Sequence, residues 1–300
     1  MDSCISKNYS MRYIYIILAS FIWGSLGVTG KILFSYGLST STVAFYRLFL
    51  GFIFLVIILL IFNPKLFKIN FKGLCLTAIL GFICQFCFNW AYFKSISIVG
   101  ISTAVVLLYT APLFTTILSI IFYKEKFTFN KKLALLLCLI GCFLTVTNGN
   151  LSRLNFNILG IIIGIIAGIC YGSMPIISKS LMGQYHSLTI LLYSFGFGAL
   201  FLSFFSNPFE ISRHITSPQL WFSLIFLGLF NAVLSYILYL KGLALGASPS
   251  KASMLCTLEV VVSSILAILV YNEPIGIVKG LGISSVLLAV LIIQKPELQK

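Results

Sequence analysis

Charge is scarce in this chain: 9% of its 300 residues are Asp, Glu, Lys or Arg, against about 25% in a typical soluble domain. Acid is scarcer still, with six Asp and Glu in all, and the single aspartate is Asp2, which excludes aspartyl chemistry within the apolar body of the chain. The two histidines, His186 and His214, fall in polar connections. There is no HExxH, GxSxG or P-loop pattern, so neither an intramembrane protease nor an ATP-driven pump is supported. The longest polar stretch runs from Asn207 to Pro218, too short for an inserted soluble domain. The cysteines (Cys4, Cys75, Cys84, Cys87, Cys138, Cys142, Cys170, Cys256) lie in the N-terminal tail or in apolar runs, so no disulfide framework is expected. The CxxC at Cys84 and Cys87 has no second Cys/His pair, and packing accounts for it better than zinc or redox chemistry.

What fills the chain is apolar sequence: 60% hydrophobic residues and a mean hydropathy of +1.09. This is a polytopic membrane protein by composition, and its function has to sit in helices. Apolar runs broken by polar turns give ten spans, at about 13–35, 41–62, 72–93, 98–123, 131–148, 157–179, 187–206, 219–240, 248–271 and 276–293. The first run lacks a cleavage site followed by polar mature sequence, so it reads as a retained span. The net charge of +14 points to orientation, not to nucleic acid, because the basic residues sit in short loops. With both termini in the cytoplasm, only Lys31, Arg47, Lys94, Arg153, Arg213 and Lys279 of the 20 Lys and Arg fall elsewhere. The expected site is therefore the cytoplasmic membrane, with the lipid bilayer as a partner.

The two halves of the chain look like copies. At an offset of 148, Trp23-Gly24-Ser25 meets Tyr171-Gly172-Ser173, Lys31 meets Lys179, Leu33 meets Leu181 and Glu125 meets Glu273; at 147, Gly81 meets Gly228, Tyr92 meets Tyr239 and Lys94 meets Lys241. The expected fold is an all-α membrane protein of two five-helix repeats. An odd span number inserts the second copy upside down, the inverted-topology arrangement in which secondary transporters bind substrate near the midplane. The units are a tail at 1–12, a first repeat at 13–148, a linker at 149–156, a second repeat at 157–293 and a tail at 294–300.

One stretch breaks the apolar pattern. Ser248 to Glu273 carries Glu259 near the middle of a membrane-length run. An ionised carboxylate there costs roughly 2.5–3.5 kcal/mol on insertion scales, so such a residue usually faces a bundle interior or a water-filled cavity.

The chain resembles the EamA-type members of the drug/metabolite transporter superfamily over essentially its whole length. The residues are FIWGSLGVTGKIL in the first span, AFYRLFLG around Arg47 in the second, and a helix-end pattern written twice. In the first copy Pro112 precedes Glu125 by 13 residues and Gly141 follows it by 16; in the second, Glu259-Val260 stands where the family often has Glu-Pro, Glu273 follows Val260 by 13, and Gly282 follows Glu273 by nine. Val260 lacks the family's proline, which leaves open whether the ninth span is kinked, and Ala134 and Ala289 replace glycines of the pattern. The resemblance implies a ten-helix inverted repeat around a central cavity that moves small metabolites such as amino acids and related compounds. It implies no particular substrate.

Helical spacing nominates the cavity wall. Gly81, Gln85, Asn89 and Tyr92 make one stripe, and Gly228, Asn231, Ser235 and Tyr239 a second; Tyr109, Pro112, Thr116 and Ser119 share a face, as do Ala252, Cys256, Glu259 and Ser263; Trp23 and Tyr171 come from the first and sixth spans. The candidate substrate-binding residues are Glu259, Asn89, Gln85, Asn231, Ser235, Tyr109, Trp23, Tyr171, Tyr92 and Tyr239, with Glu259 and Arg47 as coupling or charge-pair candidates. For any small or hydroxyl residue, close helix packing explains the stripe equally well. Glu259 is open to three roles: holding a substrate amine, taking up the coupling proton, or pairing with Arg47 or Lys251. Arg47 either meets a substrate carboxylate or snorkels to the headgroups. Tyr13, Tyr15, Tyr123 and Tyr271 read as interface anchors, Lys31 and Lys179 as snorkelling, and Glu125 as paired with its neighbours Lys124 and Lys126. No metal, cofactor, catalytic residue or nucleic-acid partner is expected, and a homodimer is compatible with the chain. The expected function is secondary transport of a small polar metabolite, export ahead of import. The rivals are a lipid-modifying membrane enzyme, which needs a polar cluster at one membrane face, and a passive channel, which needs charge rings or filter motifs.

Overall fold

The computed structural model describes residues 2–272 and 276–294. Glu273 and the expected C-terminal tail from 295 onward lie outside the described residues. Every regular element among the described residues is helical. Eight helical stretches among them are long and apolar enough to cross a membrane, and Ala111–Tyr123 and Ser187–Ser203 are shorter apolar helices.

Four of these stretches are interrupted inside. Helix α1 (Asp2–Gly24) gives way to α2 (Leu26–Ser35) at Ser25, and α1 is helical through the segment expected as a tail. Helix α3 (Thr40–Phe62) starts at a Ser39 cap, whose side chain accepts from the Thr42 amide. Helix α4 (Phe71–Leu80) runs through a π-helical segment, Gly81–Cys87, into α5 (Phe88–Leu108). Within α5 the chain turns at Gly100, whose φ of 79° is open to glycine and strained for other residues. Helix α6 (Ala111–Tyr123) follows a break at Tyr109 and Thr110, directly ahead of Pro112, as proline requires.

The second half repeats these devices. After α7 (Phe129–Thr147) come α8 (Ile158–Met182), which contains Pro175, and α9 (Ser187–Ser203). Helix α10 (Pro218–Phe226) passes through a second π-helical segment, Leu227–Leu234, into α11 (Ser235–Ala244). Helices α12 (Pro249–Cys256) and α13 (Leu258–Tyr271) meet at Thr257, and α14 (Ile277–Gln294) ends the bundle. The ninth span is thus broken without the proline that Val260 replaces. There the Thr257 and Val260 amides bond the Met254 and Thr257 carbonyls, a tightening to i→i−3, and the Thr257 hydroxyl donates to the Met254 carbonyl at 2.7 Å.

Helix α7 packs along α14, α5 along α8, α3 along α9, and α1 against α11 and α13. Small residues set the approach, since lipid gives helices no hydrophobic reason to associate. A Cβ on Gly141 would stand 2.9 Å from the Gly282 carbonyl oxygen, and one on Gly282 would stand 2.8 Å from that of Gly141. Other contacts come in pairs whose members lie 147 or 148 residues apart. Gly24 packs on the Glu259 carbonyl and Gly172 on that of Ala111; Asn231 bonds Ser25 and Cys84 meets Ser173.

Side-chain bonds tie segments together at the end of the bundle holding the α6–α7 and α11–α12 turns. Glu125, expected to pair with Lys124 and Lys126, instead meets Lys131 Nζ at 3.3 Å, with their side chains 11% and 5% exposed. The same carboxylate oxygen accepts from the Ser250 hydroxyl in the first turn of α12. Arg12 donates to the Gly246 carbonyl at 2.9 Å. Tyr13, expected at the headgroups, is buried in the core here. Lys31 lies 3.5 Å over the Tyr271 ring and Lys179 5.0 Å over that of Tyr123, so both expected snorkelling lysines rest on anchor tyrosines.

Candidate functional site: an aromatic cavity with one carboxylate

A cavity of about 490 Å³ lies inside the bundle, walled by Trp23, Gly27, Arg47, Phe88, Asn89, Tyr92, Tyr109, Tyr171, Tyr236, Glu259 and Ser263, among others. It extends to Phe34, Thr40, Ile96 and Ile101, at the bundle end that carries the turns at 36–39 and Gly100. Away from that end, Trp23 and Tyr171 form a floor. Both also line a separate space of about 10 Å³, shared with Met174, Pro175, Tyr239, Ser253 and Cys256, which is room for about one water.

Glu259 stands in the first turn of α13, where the helix dipole favours negative charge. Its carboxylate is within hydrogen-bonding reach of the Tyr109 hydroxyl and within electrostatic range of Arg47 and Tyr92. By surface area Glu259 is partly exposed because it faces the cavity, yet protein surrounds it. Arg47, on α3, faces the same cavity, and its Nε is buried without a partner. The ion pair within 4.0 Å among the described residues is Lys131–Glu125, so Arg47 and Glu259 share a chamber without closing on each other.

Of the residues nominated from sequence, Glu259, Arg47, Asn89, Tyr92, Tyr109, Trp23 and Tyr171 come together at the cavity. Gln85, Asn231, Ser235 and Tyr239 do not line it. Gln85 is buried behind the wall, with Nε2 3.4 Å from the Tyr236 hydroxyl. Asn231 donates to the Ile22 carbonyl at 2.7 Å and the Ser25 hydroxyl at 2.8 Å, satisfying the break between α1 and α2. The Ser235 hydroxyl bonds back to the Asn231 carbonyl of its own helix at 2.8 Å. Tyr239 packs its ring 5.4 Å from that of Trp23, beside the small space below the floor.

The π-helical segments explain this sorting. Each adds a residue to a turn, which rotates the next stretch of helix by roughly 100° relative to an unbroken α-helix. The stripe from Gly228 to Tyr239 therefore does not keep one face, and Leu227 and Tyr236 reach the cavity instead. The stripe from Gly81 to Tyr92 is likewise divided: Gly81 and Gln85 pack on α9, while Asn89 and Tyr92 face the cavity. Asn89 donates to the Gln85 carbonyl at 2.5 Å, which anchors its side chain at the end of the segment. Phe88 and Tyr236 were not nominated from sequence, since α-helical spacing puts neither on a polar stripe. No group of three or more His, Cys, Asp or Glu that could hold a metal gathers among the described residues.

A multi-pass membrane protein, helical throughout its described regular elements and built around a solute-sized, end-opening cavity, is the class these features define. The chain belongs to the EamA-like transporter family, which it matches at residues 10–147 and again at 158–294. It is 26% identical over 281 residues to the uncharacterized inner membrane transporter YicL of Salmonella typhimurium, covering 93% of each chain. It is 25% identical to the uncharacterized transporter YwfM of Bacillus subtilis, over 96% of this chain and 95% of the relative. The S-adenosylmethionine uptake transporter of Rickettsia bellii is 24% identical, over 89% of this chain and 87% of its own. A crystal structure with 12% identity superposes with a TM-score of 0.78 over 94% of this chain and 96% of the other, a likeness of fold alone. The chain is a membrane transporter, and its partners are the bilayer and a small-molecule substrate.

Proposed function

We propose that this transporter is a secondary carrier that moves a small polar metabolite, an amino acid or related compound, across the cytoplasmic membrane by alternating access, with export as its net direction and both termini in the cytoplasm. The observation that carries the reading is the aromatic cavity, open toward one end and floored by Trp23 and Tyr171, with Glu259 in its wall. Its volume of about 490 Å³ lies in the range of small-molecule sites, roughly 300–1,000 Å³.

Ten crossings in two inverted repeats, 13–148 and 157–293, account for this architecture. The stretch 101–123 spans roughly 34 Å at 1.5 Å per residue, enough to cross a bilayer together with its break. Helix α9, with 17 residues, is at the lower limit for a span. The two family matches, one per half, and the paired contacts 147 or 148 residues apart support the repeat. Trp23 and Tyr171, partners at an offset of 148, both line the floor, a placement that suits a gate near the pseudo-two-fold axis.

Counterflow in proteoliposomes tests the function, using pools of amino acids, amines, nucleosides, sugars and organic acids, with S-adenosylmethionine added because a relative is named for its uptake. One pool is expected to drive exchange and Glu259→Gln to slow it. Exchange at the wild-type rate in the folded variant removes Glu259 from the site and the coupling path. No exchange by any pool in folded protein would refute the carrier.

A further inference from the structure

Two opposite charges in one low-dielectric chamber normally find each other. Glu259 and Arg47 line the same cavity from α13 and α3, within electrostatic range, yet they stand more than 4.0 Å apart. Neither charge is otherwise neutralised. The Arg47 Nε is buried without a partner, and its side chain faces the cavity. Glu259 has the Tyr109 hydroxyl as its neighbour, in a chamber also walled by Trp23, Tyr92 and Tyr171.

Resting on the carrier reading, we infer that this arrangement is a split receptor for a zwitterion: Arg47 receives the carboxylate and Glu259 the ammonium group of an α-amino-acid-type solute. A guanidinium presents a planar fork that fits a carboxylate with two parallel hydrogen bonds. Trp23, Tyr92 and Tyr171 in the same wall supply π systems, whose negative faces attract an ammonium. A solute with both charges neutralises both residues at once. An amine or an acid alone leaves one of them buried and unmatched, a loss that makes polar sites selective. The rival account of Arg47, snorkelling toward water at the cavity end, predicts no dependence of selectivity on the fork.

The test is competition for counterflow of a labelled amino-acid pool by three matched sets: leucine, isopentylamine and 4-methylpentanoate; phenylalanine, phenethylamine and 3-phenylpropionate; methionine, 3-(methylthio)propylamine and 4-(methylthio)butanoate. The wild type is expected to prefer each amino acid at least tenfold over its amine and its acid. Arg47→Gln should lose the preference over the amine and keep amine competition. Glu259→Gln should lose the preference over the acid, and Arg47→Lys should fall between wild type and Arg47→Gln. These are ratios, so a lowered amount of folded variant does not distort them. A preference unchanged in Arg47→Gln, or an equal loss for all three members of a set, overturns the inference. Exchange driven by sugars or nucleosides but by no zwitterion overturns it while leaving the carrier reading intact; no exchange of any solute by folded protein overturns both.

Discussion

Replacing Glu125 with Gln keeps the shape of the side chain and removes its charge from the bundle end that holds the α6–α7 and α11–α12 turns. The perturbation takes the counter-charge from Lys131, whose side chain is 5% exposed and 3.3 Å from the carboxylate. Removing one member of a buried pair typically costs about 3–5 kcal/mol. Two features moderate the loss. Lys131 also donates to the Lys126 carbonyl at 3.0 Å, and a Gln at 125 still offers Ser250 an acceptor. The expected cost is therefore at or just below the lower limit of that range, about 2–3 kcal/mol. Lys131→Met alone should cost a similar amount, and the double variant much less than the sum, with a coupling of about 2 kcal/mol.

Chemical unfolding in mixed dodecyl maltoside and SDS micelles reads all four proteins of this cycle. Repeating it at about 1 M salt separates a buried pair, whose coupling should persist, from a screened surface pair. A coupling within about 0.5 kcal/mol of zero would refute the account, since contacting residues that share a buried charge cannot be additive.

Three further outcomes are expected from the same contacts. Asn231→Leu should destabilise by about 1–3 kcal/mol, because it removes the two bonds by which the Asn231 amide ties its helix to the Ile22 carbonyl and the Ser25 hydroxyl at the break in the first span, whereas Ser235→Ala, which removes a bond within one helix, should cost less than about 1 kcal/mol; thermal unfolding in detergent ranks them. Gly172→Ala sets a Cβ 2.7 Å from the Ala111 carbonyl oxygen and should cost about 1–3 kcal/mol, while Gly280→Ala meets nothing within 4 Å and should be neutral or stabilising by up to about 1 kcal/mol; equal effects on melting would count against the packing described. In a variant whose remaining thiol is Cys256, below the floor, a membrane-impermeant methanethiosulfonate reagent applied from the cavity side should label slowly, and Trp23→Ala should speed labelling at least tenfold; an unchanged rate would mean that Trp23 is not the barrier.

Much of the helical content was legible because lipid imposes a simple rule: a segment that crosses must satisfy its own backbone and be apolar over membrane length. Glu259, Arg47, Asn89, Tyr92, Tyr109, Trp23 and Tyr171 were legible because polar and aromatic groups in such runs are conspicuous. The face each residue takes was less so. A π-helical segment leaves no composition signal in GFICQFC or LGLFNAVL, yet it turns Tyr236 into the cavity and leaves Asn231 bound to α1. Tyr13 reads as an interface anchor because of its position near a span end, and it is buried because α1 packs against α11 and α12. Glu125 draws its partners from six residues away and from the other half of the chain, contacts that local charge pairing does not anticipate.

The break at Thr257 carries the strongest lesson about reading motifs as physics. Proline breaks a helix by lacking an amide and crowding the turn before it, and Pro112 does so ahead of α6. Val260 has neither property, yet the helix breaks at the equivalent point. What the two breaks share is a threonine hydroxyl bonded to the carbonyl three residues back, Thr110 to Leu107 at 2.6 Å and Thr257 to Met254 at 2.7 Å. The hydroxyl is a second donor to a carbonyl that already accepts the amide of the same threonine, and it reinforces the tightened i→i−3 turn at the break. Close approach does the rest: Gly24 brings α1 against the Glu259 carbonyl, and Gly172 brings α8 against that of Ala111, one residue past Thr110. The break is thus held by a hydroxyl and a neighbouring glycine on another helix, and it keeps Glu259 at a helix start facing the cavity. Thr257→Val, which keeps shape and removes the hydroxyl, should therefore impair the Glu259-dependent exchange more than Thr116→Val, whose hydroxyl bonds back within an unbroken stretch of α6. Equal counterflow in the two variants would show that the glycine contact alone holds the break.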